Sequence, residues 1–219
     1  RATLAPIIPS ESGCYILMDA GANVECRPEM LLQFGIMGSI YMEKIMHVDH
    51  PRVAVVNIGA EETKGRDLEL GAHTLFDQSG LVNFTGNIEP RYIPRGDADV
   101  VVTDGFTGNV VLKLTEGLGK MIGNALKDIF MGGIVGKLAG ALVLKKVKAF
   151  KKKMDYTEYG GAPLMGISKP VIKAHGSSNG KAFKNAIRQA RDFAQQDVIG
   201  EITNSLARLK EQNIQAKAE

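Results

Sequence analysis

A chain of 219 residues is long enough for one large or two small globular domains, and 44% apolar with 23% charged residues is an ordinary soluble balance. The net charge of +3 is too small to imply nucleic acid as a partner. Cys14 and Cys26 have no metal-type spacing and argue against a disulfide framework, which favours a reducing cytoplasm; no apolar run is long enough to cross a bilayer, and no signal peptide opens the chain.

In chain order, Arg1 stands where a methionine would begin a complete protein, so an amino-terminal portion is expected to be missing. Arg1 to Gly13 is a proline-containing lead-in without periodicity. Tyr15 to Asp19 is predicted as a short apolar strand, followed by the loop Ala20 to Arg27. Pro28 suits the first turn of a helix that runs from Glu29 to Met46 and is apolar nearly all round, which argues burial. Gly35 and Gly38 would weaken that helix unless another backbone packs close, so they are read as contact points. Arg52 to Ile58 is a second buried strand, Asp67 to Gln78 a helix, Leu81 to Thr85 a third strand, and Arg91 to Asp97 a connection. Asp99 to Thr103 is a β-branched run covered on both faces. The helix after it carries Val111, Leu114, Leu118, Ile122, Ala125 and Ile129 at three- and four-residue spacing. Pro170 to Ala174 is a short strand with its proline at the first position, where a missing N–H is tolerable. Lys181 to about Lys210 is one long helix, with Phe183, Ile187, Ala190, Ala194, Val198, Ile202 and Leu206 on one face. Residues 212–219 are a frayed tail. Strands alternating with helices give the fold class α/β with a largely parallel sheet, as one domain over residues 1–211.

Four small, polar, glycine-bearing loops follow predicted strands: Asp19 to Asn23, Asn57 to Glu62, Asp104 to Asn109 and His175 to Asn179. In a parallel sheet they converge on one crevice at the carboxyl ends of the strands, where ligands bind and helix amino termini favour anions. The plainer alternative is that Gly, Asp and Asn simply make turns. Asn23, Asn57, Glu61, Asp104, Thr107 and Asn109 are the candidates from the first three loops, although the two carboxylates Glu61 and Glu62 are better read as helix-start charges favoured by the dipole. His175, Gly176, Ser177 and Ser178 are the most chemical group. Two hydroxyls, free N–H groups and an imidazole fit a phosphate or an acyl oxyanion, and the alternative is that Ser177 or Ser178 caps the helix that follows. No Walker-type loop and no Gly-x-Gly-x-x-Gly follows a strand, which leaves nucleotide binding by those modes unsupported. No His/Asp/Glu cluster suggests a metal.

Met131 to Met154 stands apart. Its first part is apolar and rich in Gly and Ala, and Lys145 to Lys153 follows without an acidic residue. This is expected to be a protruding segment with Ile134, Leu138 and Leu142 at a lipid headgroup boundary and Lys145, Lys146 and Lys148 facing anionic lipid. A packed helix with a solvated end is the alternative. Nucleic acid is less favoured, because no aromatic pattern interleaves the lysines.

Several blocks together resemble the bacterial PlsX-type phosphate acyltransferases. These are Gly21-Ala-Asn-Val, Leu32-Gln-Phe with Met37-Gly-Ser, Asn57-Ile-Gly with Glu61-Glu-Thr-Lys-Gly65, Asn83-Phe with Gly86-Asn-Ile-Glu89, Ala98-Asp-Val-Val-Val with Asp104-Gly-Phe-Thr-Gly-Asn109, Tyr159-Gly-Gly-Ala, and Val171-Ile-Lys-Ala-His-Gly-Ser-Ser178. They occur in family order and span nearly the whole chain; the family's amino-terminal portion, with its glycine-rich opening strand and loop, is absent. The resemblance implies a three-layer α/β/α fold like those of isopropylmalate dehydrogenase and phosphotransacetylase. It implies a homodimer without metal or organic cofactor, peripheral at the inner face of the bacterial membrane. The implied activity moves a long fatty acyl group from acyl carrier protein to inorganic phosphate, and the implied partners extend to the downstream glycerol-3-phosphate acyltransferase. Under that resemblance Asp104, His175 and Asn109 are assigned to catalysis and Gly176, Ser177 and Ser178, with Thr107, to phosphate. Arg52, Lys64 and Arg66 are guesses for the carrier-protein surface. Rival readings are a short-chain acyl-CoA phosphotransacetylase, a nicotinamide-dependent hydroxyacid dehydrogenase and a non-catalytic adaptor.

Overall fold

A computed structural model describes residues 1–153, 159–176 and 178–215, with the side chains of 151–153 and 212–215 outside the description. In order these are β1 Thr3–Leu4, β2 Ile7–Pro9, β3 Cys14–Met18, α1 Pro28–Lys44, β4 Arg52–Val56, α2 Asp67–Ser79, β5 Asn83–Ile88, a 3-10 helix Pro90–Arg95, β6 Val100–Val102, α3 Gly105–Met131, α4 Gly133–Lys153, β7 Ala162–Met165, β8 Ile172–Lys173, α5 Gly180–Gln195 and α6 Val198–Gln215.

The larger sheet runs β2-β3-β6-β4-β5. Strands β3, β6, β4 and β5 are parallel, and only β2 pairs antiparallel. Alternation within the strands sends side chains to opposite faces. Ile16, Met18, Val53, Val55, Val100 and Val102 join α1, α2 and α6 in one core, while Tyr15, Leu17, Ala54, Val56 and Val101 join Ile93 and the start of α3 in another. This is the three-layer α/β/α arrangement. The helix α1 lies flat on the sheet because Gly38 leaves no Cβ: one added there would stand 2.5 Å from Val100 Cγ1. Gly35 does the same for Phe76 of α2.

Several expectations need correction. The lead-in contains β1 and β2. The expected connection Arg91 to Asp97 holds most of a 3-10 helix, and the third strand sits later than expected, at Asn83–Ile88. Strand β8 does not join the large sheet. It belongs to a separate antiparallel sheet of order β1-β7-β8. The expected long helix breaks in two at Asp197, which sits at φ 47. There Gln196 N–H closes α5 on the Asp192 carbonyl, and Asp197 Oδ1 accepts from Gly200 N at 3.3 Å to open α6. A short polar side chain tolerates that left-handed conformation better than an apolar one. The buried face of α5 is Ala182, Ala186, Gln189 and Phe193; Phe183 and Ile187 point to solvent. The helix α6 continues to Gln215, beyond the point where fraying was expected, and residues 216–219 lie outside the description.

α3 and α4 form a hairpin turned at Gly132 and Gly133. The stripe Leu114, Leu118, Ile122 and Ile129 is exposed on α3, as are Ile134, Leu138 and Leu142 on α4. Residues 154–158 lie outside the described residues, and the stretch that follows them contains strand β7.

Candidate functional site

Three of the four polar loops leave β3, β4 and β6 of the large sheet and meet at its carboxyl rim. Asp19 anchors the first from a fully buried position. Its Oδ1 accepts from Leu4 N at 2.9 Å and Ala22 N at 3.2 Å; its Oδ2 accepts from Asn23 N at 2.6 Å and Asn23 Nδ2 at 2.9 Å. Asn23 Nδ2 also donates to the Ala2 carbonyl at 2.7 Å. The Asn23 amide, expected to bind substrate, therefore closes its own turn.

The third loop is tied to the first. Gly105 N donates to the Asn23 carbonyl at 2.7 Å, and Gly108 faces the Asp19 carbonyl so closely that a Cβ would be driven into it. Asp104 is the N-cap of α3. Its Oδ1 accepts from Thr107 N at 2.7 Å, its Oδ2 from Thr107 Oγ1 at 2.9 Å. Burial works to raise the Asp104 carboxyl, but the Thr107 N–H and hydroxyl and the Arg66 guanidinium outweigh it and hold the group below the usual carboxylate range. An acid so held stays ionised, so Asp104 is a scaffold and an acceptor and not a proton donor near neutrality.

The second loop closes on Asn57, whose Nδ2 donates to the Lys64 carbonyl at 2.9 Å and whose Oδ1 accepts from Ile58 N at 2.8 Å. The Glu61 carbonyl accepts from Asn87 Nδ2 at 2.9 Å, and the Glu61 carboxylate lies over Gly59, exposed. Arg66, the residue before α2, spans to the third loop: its Nη2 donates to Asp104 Oδ2 at 2.8 Å and to Glu69 Oε1, while its own N–H donates to Glu69 Oε2 at 2.8 Å. The guanidinium is held charged, its proton affinity raised first by the Glu69 bond and then by Asp104. Arg66 thereby ties the amino termini of α2 and α3 together, each with a carboxylate, Glu69 or Asp104, on its first N–H groups.

Asn109, by contrast, stands exposed over Gly21, and its side chain makes no hydrogen bond among the described residues. Around this polar floor Val24, Ile58, Phe106 and Val110 are 65%, 81%, 64% and 49% exposed, an apolar collar.

The fourth loop does not leave this sheet, so the expected convergence of all four at equivalent positions does not hold. His175 and Gly176 are exposed beyond β8, Ser178 N donates to the His175 carbonyl at 3.0 Å, and Ser177 lies outside the described residues. The cap of α5 is neither serine: Asn179 Oδ1 accepts from Ala182 N at 3.0 Å. Arg52 is likewise away from the rim, at the amino end of β4, where its Nη2 meets Asp99 Oδ1 at 2.9 Å. Among the described residues no group of His, Cys, Asp and Glu side chains is placed to hold a metal ion, and no helix is long and apolar enough to cross a membrane.

Arg66 and Asp19 are the structural keys that sequence reasoning underrated. The visible signal for Arg66 was the pair Arg66 and Glu69, three apart at a helix start. Nothing local signalled its reach to Asp104.

A profile of the family described as "Fatty acid synthesis protein" matches residues 1–201. A protein named "Phosphate acyltransferase" from Alkaliphilus oremlandii (strain OhILAs) is 54% identical over 210 residues, covering 95% of this chain and 62% of that protein. One of the same name from Clostridium botulinum (strain Loch Maree / Type A3) is 50% identical over 214 residues, covering 98% of this chain and 64% of that one. The chain thus spans less than two thirds of the length of these relatives. Among solved structures, a phosphotransacetylase from Streptococcus pyogenes aligns with TM-score 0.55 at 16% identity, covering 89% of this chain and 54% of that one. At that identity the likeness concerns the fold alone.

Proposed function

We propose, from the premise that this chain belongs to the fatty acid synthesis protein family, that it is part of an enzyme transferring a long-chain fatty acyl group from acyl carrier protein to inorganic phosphate. Relatives at 50–54% identity carry the name phosphate acyltransferase. The observation that carries the proposal is the rim where Arg66 and Asp104 join two helix amino termini at 2.8 Å, inside an exposed apolar collar. A guanidinium held in place with its Nη1 hydrogens open among the described residues suits an oxyanion, and the collar suits an aliphatic chain.

In the proposed reaction an anionic phosphate oxygen bonds to the thioester carbonyl carbon, the C–S bond breaks, and the departing thiolate takes a proton. Phosphate is already anionic at neutral pH, so holding it in line matters more than deprotonating it. Asn109 is the rim amide still open to the reacting groups. His175 is proposed to protonate the thiolate, and Gly176, Ser177 and Ser178 to contribute to phosphate binding from the loop after β8. The exposed stripe Ile134, Leu138 and Leu142, followed by Lys145, Lys146 and Lys148, is proposed to rest on an anionic membrane surface at the inner face, with part of the hairpin shared in a homodimer. Each lysine near such a surface contributes about 1 kcal/mol.

The test is thiol release from long-chain acyl carrier protein by the full-length protein, with and without phosphate. Phosphate-dependent release is expected, and Asn109→Ala is expected to lower it at least about tenfold. Release that ignores phosphate, or an equal rate with short-chain acyl-CoA, refutes the assignment.

A further inference from the structure

We propose that Arg66 and Thr107 form a phosphate-selecting pair at this rim, Arg66 holding an anionic oxygen and Thr107 accepting a hydrogen bond from a P–OH group; this rests on the phosphate-acyltransfer reading above. The inference follows from where each hydrogen already goes. Thr107 Oγ1 has one hydrogen, and it is committed to Asp104 Oδ2 at 2.9 Å. The same carboxylate oxygen accepts from Arg66 Nη2 at 2.8 Å. Asp104 is buried and its other oxygen is filled by Thr107 N, so it has no reason to surrender the hydroxyl hydrogen. Thr107 therefore presents only lone pairs to anything outside.

Arg66 is fixed in the complementary sense. Its Nε lies 3.2 Å from both Glu69 oxygens and its Nη2 bonds Glu69 and Asp104, which leaves both Nη1 hydrogens without a partner among the described residues. Guanidinium and hydroxyl share Asp104 Oδ2 as neighbour, at 2.8 and 2.9 Å, and one tetrahedral oxyanion is set against both in the proposed pair. The donor Nη1 attracts a bare oxygen; the acceptor Thr107 Oγ1 repels one and welcomes an O–H.

Hydrogen phosphate satisfies both at once. Sulfate, of the same shape and charge, has no hydrogen at neutral pH and leaves Thr107 facing a bare oxygen, an unpaired and repulsive contact. The pair thus discriminates between two oxyanions that charge alone cannot separate. It also leaves a further anionic oxygen of phosphate free to attack the thioester, with no proton passing through Asp104.

The experiment uses the full-length protein and measures the KM for phosphate, the inhibition constant of sulfate and the KM for the acyl donor. In the wild type, sulfate is expected to inhibit at least about tenfold more weakly than phosphate binds. Arg66→Gln raises both anion constants about tenfold or more and leaves the acyl-donor KM within about twofold, and Arg66→Lys recovers part of the loss. Thr107→Val, isosteric and without the acceptor, weakens phosphate but not sulfate, so the ratio collapses. Sulfate competing as well as phosphate in the wild type overturns the proposal without any variant, as does a ratio that survives Thr107→Val. Equilibrium binding of radiolabelled phosphate and sulfate gives the same comparison without turnover. Selective binding with no phosphate-dependent thiol release would sink the acyltransfer reading alone; thiol release without selectivity would sink the pair alone.

Discussion

Gly108→Ala probes the contact that seats α3 on the first loop. A methyl group at position 108 runs into the Asp19 carbonyl oxygen and stands 3.1 Å from Thr103 Cγ2. The carbonyl cannot retreat, because Asp19 N donates to the Thr103 carbonyl at 3.0 Å and its carboxylate holds Leu4, Ala22 and Asn23. Relief comes only from moving α3 outward, which stretches the Gly105 N to Asn23 carbonyl bond of 2.7 Å. Overpacking of this kind costs roughly 1–3 kcal/mol, and weakening a buried backbone bond adds about 1 kcal/mol. Replacing glycine by alanine in a helix returns up to about 1 kcal/mol. The net is a destabilisation of about 1–3 kcal/mol, or a Tm lowered by roughly 3–10 °C for a domain of this size. Gly117→Ala is the control: it lies in the same helix, and a Cβ there meets nothing within 4 Å, so it should be neutral or stabilising. Urea and thermal unfolding followed by circular dichroism read both variants. If Gly108→Ala is as stable as wild type, or Gly117→Ala loses as much, the contact is not what seats the helix.

Asp104→Ala removes the N-cap of α3 and should cost about 1–2 kcal/mol at neutral pH. Because the Asp104 carboxyl is depressed in the folded protein, its contribution is present above the ordinary aspartate range and is lost as pH falls through the folded value. The gap between wild type and variant, read from urea midpoints, should therefore narrow in acid; a gap that widens contradicts the assignment. Tyr41→Phe leaves buried Gln189 Nε2, now 2.6 Å from the Tyr41 hydroxyl, without an acceptor beside an Oε1 that already has no partner. The expected cost is about 1–3 kcal/mol, and adding Gln189→Leu should restore much of it; an uncoupled pair in that cycle would show the bond to be incidental. For the hairpin, Leu138→Asp with Leu142→Asp should abolish flotation with anionic vesicles, and replacing Lys145, Lys146 and Lys148 by Glu should do so at low salt. Undiminished flotation in both would remove the hairpin from the membrane proposal.

The parallel core was legible because its strands are continuous β-branched runs and its helices have long periodic stretches: Val53 to Val56 and Val100 to Val102 lie buried in the sheet where their composition put them. Short strands were not legible. Thr3–Leu4 and Ile172–Lys173 have too few residues to show alternation, and their partner sheet depends on contacts distant in sequence. For α5, two stripes one residue apart fit helical spacing equally well. The protein buries the smaller one, Ala182 and Ala186, because Gln189 and Phe193 complete the packing against α1. At the site, the loop positions of Asp104 and Asn57 were readable, but the direction of their hydrogen bonds was not. Glycine-bearing turns suggested open N–H groups, yet Asp19 and Asp104 fill most of them from within.

The two outer strands of the large sheet also bear on how the chain behaves in concentrated solution. On one side β2 is three residues long and ends in Pro9, which has no N–H to offer an incoming strand. On the other, β5 is Asn- and Gly-bearing and slips register against β4 between Val53 and Val55, with Gly86 at φ 91. Neither border presents a straight ladder on which a foreign chain can extend the sheet, so a core this rich in valine is shielded from cross-β growth at both flanks.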